Sequence, residues 1–267
     1  MIQIRNRHTD EVICEAETIK AAIKRNHTNF RCSDLHGSDL SYLDLSGLDL
    51  SGSDLSGSDF RYSNLSGSDL RRSDLSGSDL SGSDLSGSDL SGSDFRYSNL
   101  SGSDFRYSNL CGSNLRNSNL RKSDFRCSDL RYSDLRDSNL CGSNLSVSNL
   151  RGSDLSGSKL SGSNLHGSDL RDSNLRGIRP SYQSHDLLAE ILRRAAGEDI
   201  AKLKVVGLIL INRDKCWKDF VQIAKDEPLA DWALDELAKW VQPNDGAPEV
   251  LRQRAAANEA ALGEKHE

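Results

Sequence analysis

Between residues 28 and 177 the apolar and polar positions recur with a period that fits neither common secondary-structure element. From Phe30 to Leu175 every fifth residue is Leu or Phe, at 30 positions of 30. On an α-helix five residues advance about 500°, so these side chains would wind around the axis instead of forming a stripe. On a flat strand an odd period sends alternate side chains to opposite faces. All thirty stay inside only if the chain turns a corner once per unit. The pattern therefore predicts a coil of short extended pieces, with the apolar centre and the residue two before it facing inward, and polar or Gly positions making the turns. Successive coils stack as parallel strands about 4.8 Å apart, which leaves only the two end coils as open edges.

The flanks follow other periods. In residues 1–27, Ile2 and Ile4 alternate with polar neighbours, as do Val12 and Cys14 after the polar Arg7-His8-Thr9-Asp10, which predicts a hairpin. Ile19, Ala22 and Ile23 then fall at helical spacing, a short capping helix of the kind a solenoid needs at its end. After Pro180, residues 178–247 read as a helical domain. Leu187, Leu188, Ile191, Leu192 and Ala195 make a stripe that stops at Gly197, and two more amphipathic segments run through Trp217, Phe220, Val221 and Ala224, and through Leu229, Trp232, Leu237 and Trp240. Ile200 to Ile211 is too uniformly apolar for periodicity to separate helix from strand. Residues 248–267 read as a charged, Ala-rich tail, helical or disordered.

Around each centre the unit is regular. Ser stands two residues before it in 27 of 30 units, the exceptions being Thr28, Leu43 and Leu48, and Asp or Asn stands one before it everywhere except at Lys159. The two positions after the centre vary, the second of them rich in Gly. Written Ser-Asp-Leu-Ser-Gly, the unit resembles that of the pentapeptide-repeat family, usually Ala-(Asp/Asn)-Leu-x-x, over about 150 of the 267 residues. The resemblance implies an all-β solenoid: a right-handed, four-sided parallel β-helix with four units per coil. It would carry the N-terminal hairpin-helix cap and the C-terminal α-helical domain at its ends. The departure is Ser at the inward position where the family favours Ala or Cys. Each buried hydroxyl needs an acceptor or costs of order 1–3 kcal/mol, so ladders of Ser bonded to backbone carbonyls or to one another are expected.

Leu, Ile, Val and Phe total 62 of 267 residues, about 23%, just above the roughly 20% below which disorder is the default; the unbroken register argues for order. With a net charge of −6, no apolar run of about 18 residues, no signal-peptide pattern and six cysteines without disulfide or zinc spacing, the expectation is a soluble, cytoplasmic protein. Direct nucleic-acid binding and membrane association are not expected.

Charge along the array is uneven: residues 28–100 hold 12 Asp against 5 Arg, residues 101–177 hold 8 Asp against 11 Arg and Lys. With four units per coil, residues twenty apart stack. Asp34, Asp54, Asp74 and Asp94 then form one carboxylate column and Asp39, Asp59 and Asp79 another; Arg96, Arg116 and Arg136, and Arg131, Arg151 and Arg171, form basic ladders. The reading is a non-enzymatic scaffold for a protein partner. The resemblance implies an alternative, because its quinolone-resistance members engage DNA gyrase and related topoisomerases in place of DNA and are often dimers joined at their C-terminal ends. A remoter alternative makes the array a spacer for a C-terminal interaction domain with Trp217, Phe220, Trp232 and Trp240 at its interface. Against these stands the plainer account that Asp and Asn are turn residues and the tryptophans a small core. No His, Cys or Ser lies in a metal-spaced pair or nucleophile motif, so no metal, cofactor or catalysis is expected.

Overall fold

The computed structural model describes residues 1–24, 29–182, 184–211, 227, 229–242 and 247–263. The chain divides into two compact units, Met1–Leu160 with Gly167–Ile178, and Ser161–His166 with Arg179–Glu267.

In the first unit, parallel bridges join residues twenty apart, Asp34 to Asp54 to Asp74 to Asp94 among them, so a coil is twenty residues and contains four pentads. The pentad Ser73–Gly77 shows why the polar residues recur. Ser73 N–H donates to the Leu70 carbonyl at 3.2 Å, Asp74 N–H to Ser53 at 2.9 Å, Leu75 N–H to Asp94 at 2.7 Å and Gly77 N–H to Arg96 at 2.9 Å. The remaining donor, Ser76 N–H, finds the Asp74 carboxylate at 2.9 Å. Every N–H of the unit is satisfied, the condition for burying a backbone. Asp or Asn before the centre therefore has a local role, as the acceptor of an Asx turn.

The last residue of each pentad lies at positive φ. Gly occupies it in 17 units, and in 13 a side chain is held there, from Cys32 at 55° to Tyr97 at 62°. Inside, the centres from Leu55 to Leu165 are fully buried, and Phe105 and Phe125, one coil apart, stack with centroids 4.7 Å apart.

The inward serines mostly find carbonyl acceptors. Some donate to the centre three residues before, as Ser83 Oγ does to Leu80 at 2.6 Å; others reach the equivalent carbonyl one coil back, as Ser73 Oγ does to Leu50 at 2.8 Å. Hydroxyl-to-hydroxyl bonding occurs between Ser33 and Ser53 at 3.1 Å. Within the array, Ser113, Ser138 and Ser158 have no partner for Oγ. The expected ladders are thus built on carbonyls, with a few hydroxyls left over.

At the N-terminal end, β1 (Ile2–Arg5) pairs antiparallel with β2 (Val12–Ala16), and α1 (Ile19–Lys24) follows. Asn6 bridges to Ser33, and Asp34 N–H donates to the Arg5 carbonyl at 2.7 Å, so the hairpin pairs with the first coil. Ile4, Ile19 and Ile23 close over Phe30, Leu35, Leu40 and Leu45.

The second unit holds α2 (His185–Ala196), α3 (Ile200–Ile211), α4 (Ala230–Ala238) and α5 (Glu249–Gly263). α2 packs on α3 and α4, and α4 on α5. Leu187, Leu188, Ile191 and Leu192 form the buried face of α2, which ends at Gly197 with φ 57°. The uniformly apolar run 200–211 is a helix, and so is most of the tail. The amphipathic segment through Trp217 and Phe220 lies outside the described residues.

Candidate binding surfaces of the repeat array

With the centre and Ser inward, the array meets its surroundings through the Asp/Asn position and the two positions after the centre. The predicted columns exist, but their charges are largely tied up. Asp59 is paired with Arg61 at 2.6 Å, Asp94 with Arg96 at 2.6 Å, and Asp39 with Lys20 at 3.6 Å. Asp34, Asp54 and Asp74 have no guanidinium or ammonium within 4 Å among the described residues, yet each accepts a backbone N–H two residues on, as Asp54 does from Ser56 at 3.1 Å. Asp79 accepts from Ser81 N–H and from the Asn99 amide.

The basic ladders are compensated in the same way. Arg96 faces Asp94, Arg136 faces Asp134 at 2.5 Å, Arg131 faces Asp129 at 2.6 Å and Arg171 faces Asp169 at 2.6 Å. Arg116 and Arg151 follow Asn instead of Asp and turn to Asp137 at 3.9 Å and Asp172 at 3.1 Å. The side-chain hydrogen bonds from Arg61, Arg71, Arg136 and Arg171 hold the carboxyls of Asp59, Asp69, Asp134 and Asp169 below the usual range. The ladders are rows of ion pairs more than bare positive strips.

Five tyrosines project from the strained turn position. Tyr42, Tyr62, Tyr97, Tyr107 and Tyr132 are between 60% and 72% exposed, and all have φ near +60°. Tyr42 and Tyr62 stack at 5.3 Å on one face. One edge of the Tyr62 ring lies close against Gly82, where an added Cβ would meet it at 2.6 Å, and Tyr132 lies likewise against Gly152.

Of the four predicted C-terminal interface residues, Trp232 and Trp240 are described and half-buried, and Lys202 Nζ sits 5.3 Å from the Trp232 ring centroid. Trp217 and Phe220 lie outside the described residues. Among the described residues no group of three or more His, Cys, Asp or Glu could hold a metal ion, and no helix is long and apolar enough to cross a membrane. One feature escaped the sequence reading: an open concavity of about 620 Å³ near the N-terminal end, lined by Arg7, His8, Arg31, Arg71 and Arg72.

Pentapeptide repeats, in 8 copies, match residues 26–57, 39–77, 53–92, 73–110, 103–142 and 138–177, more than half of the chain. The chain belongs to the pentapeptide-repeat family. Proteins of this family fold as right-handed β-helices. Among solved structures, two trypsin-treated variants of QnrB1, a plasmid-mediated fluoroquinolone resistance protein, are 26% and 25% identical. They match over 59% of this chain and 87% and 89% of theirs, each with a TM-score of 0.46. HetL, a pentapeptide-repeat protein involved in heterocyst differentiation regulation in the cyanobacterium Nostoc sp. strain PCC 7120, is 26% identical over 61% of this chain and 94% of its own, with a TM-score of 0.36. No curated protein matches the sequence.

Proposed function

We propose that this pentapeptide-repeat protein is a non-enzymatic scaffold that binds a protein partner through side chains at the turn positions of its β-helix. The observation that carries this reading is the set of exposed tyrosines at positive φ. A non-Gly residue there costs on the order of 1–2 kcal/mol, and seventeen equivalent positions use Gly. Rings that remain mostly exposed recover little of that cost by burial. Tyrosine is also a residue type enriched at the energetic centres of interfaces. The test is affinity capture from the host with wild type and with Tyr42→Gly/Tyr62→Gly, in which Gly suits the backbone and the fold is retained. The double variant should lose a protein that wild type captures; equal recovery would reject the tyrosine face.

The second reading, an acidic surface standing in for DNA on a topoisomerase, is favoured by Asp34, Asp54 and Asp74, which form no ion pair among the described residues. It requires inhibition of gyrase supercoiling, or protection from a quinolone, weakened by Asp54→Lys/Asp74→Lys. No effect at micromolar protein would sink it.

A further inference from the structure

We infer that the concavity near the N-terminal end of the β-helix is an oligophosphate-binding site. Its shape follows from the sequence at the two variable positions of one face. Successive coils present Arg31-Cys32, Ser51-Gly52, Arg71-Arg72 and Ser91-Gly92, large pairs alternating with small ones. Their register is fixed by Cys32 N–H to the Ser51 carbonyl at 2.9 Å, Gly52 N–H to Arg71 at 2.8 Å and Arg72 N–H to Ser91 at 3.0 Å. Ser51 and Gly52 therefore form the floor of a notch one coil wide, walled by guanidinium-bearing coils whose backbones stand about 9–10 Å apart, two strand spacings.

The hairpin supplies the remaining wall. Arg7 N–H donates to the Cys32 carbonyl at 2.7 Å and Arg7 Nη1 reaches the Gly52 carbonyl at 3.4 Å, which brings Arg7 and His8 to the same concavity. Four guanidiniums and an imidazole from residues 7–72 thus line one depression, and no carboxylate belongs to its lining. The acids bordering this face offset only part of its positive charge, chiefly at Arg71. Asp69 holds Arg71 at 2.6 Å, Asp49 accepts from Ser51 N–H and Oγ, and Asp89 accepts from Ser91 N–H. Asp54 senses the charge of Arg7 without reaching it. Arg7, Arg31 and Arg72 have no ion pair among the described residues.

Neither Arg31 nor Arg72 is neutralised by a carboxylate of its own pentad. Arg31 follows Asn29, so its pentad lacks the carboxylate that neutralises Arg61 or Arg71. Arg72 is the one arginine at the Gly-rich turn position, held at φ 58° with its Cγ 3.6 Å from where a Cβ on Gly92 would lie. A strained backbone carrying an unpaired cation into a concavity suits an anion with several charges. Guanidinium forks match phosphoryl oxygens in geometry as well as charge, and the volume falls within the roughly 300–1,000 Å³ range of small-ligand sites.

The experiment is calorimetric titration of the full-length protein with tripolyphosphate and with ATP at low salt, with sulfate as a simple-anion control. Saturable binding of tripolyphosphate is expected, with Arg31→Ser and Arg72→Gly each weakening it about tenfold, the scale of one lost charge-assisted contact. Both replacements are residues the array already uses at those positions, and Arg72→Gly should hold or raise the thermal midpoint, which separates loss of the site from loss of the fold. Tighter binding of ATP would identify a nucleoside triphosphate as the source of the phosphates, and equal binding an inorganic chain. Absence of saturable tripolyphosphate binding at millimolar concentration would overturn the site. So would an equal loss on replacing the ion-paired Arg106 with Ser, or sulfate binding as tightly as tripolyphosphate.

Discussion

At the scale of the residue, the inward serine is the polar member of an otherwise apolar interior, and its cost depends on whether one carbonyl is within reach. Ser83 and Ser138 occupy equivalent positions and are equally hidden from solvent. Ser83 Oγ donates to Leu80, whereas Ser138 Oγ has no partner. A buried hydroxyl left unsatisfied costs about 1–3 kcal/mol, and a satisfied one contributes about 1 kcal/mol. Ser138→Ala should therefore raise the denaturation free energy and Ser83→Ala lower it, by about 1 kcal/mol in opposite directions. Denaturant titration of the two single variants checks this. Shifts of the same sign and size would mean that the hydroxyls are not individually accounted for by their carbonyls.

At the scale of the element, the hairpin and α1 close an end that would otherwise expose unpaired backbone and the apolar centres of the first coil. Ile4 is 2% exposed and sits over that coil with Ile19 and Ile23. Ile4→Ala should cost about 2–5 kcal/mol, as for other buried Ile to Ala changes. In a stacked solenoid each coil contacts mainly its neighbours, so the loss should be felt first at the end. Amide hydrogen exchange should accelerate over residues 30–50 and stay slow over residues 100–130; uniform acceleration would show that the cap and the array unfold as one. Much of this was legible in the chain. The five-residue period alone demands a turn per unit, and the alternation around Ile2–Cys14 marks the hairpin. The twenty-residue coil was not, because nothing in a pentad says how many corners close a loop; that number came through family resemblance. The helix at 200–211 was hidden because an unbroken apolar run has no period. The arginine-lined notch was hidden because it joins the hairpin turn to residues 24 to 65 positions away, and only the register of pairing brings them together.

At the scale of the whole array, the question is what the many Asp–Arg pairs contribute. The sign of their contribution follows from the carboxyls. Asp59, Asp69, Asp134 and Asp169 are held below their ordinary value chiefly by Arg61, Arg71, Arg136 and Arg171, and Asp39 and Asp44 chiefly by the hydroxyls of Ser41 and Ser46. In the unfolded chain these groups titrate near about 3.9, so around that pH the unfolded state binds more protons and acid favours it. Their stabilisation is fully present above the unfolded value and disappears as pH falls through the lower folded values. The thermal midpoint should accordingly be level from pH 8 to about 5 and drop below about 4. Replacing Asp59, Asp69, Asp134 and Asp169 by Asn keeps the Asx-turn acceptor, since Asn fills this position elsewhere in the array, and removes both the titrating group and the ion pair. That fourfold variant should show a shallower acid limb than wild type and a weaker dependence on salt. An unchanged acid limb would assign the pH sensitivity to carboxylates outside these pairs and leave the Asp–Arg rows as determinants of surface charge alone.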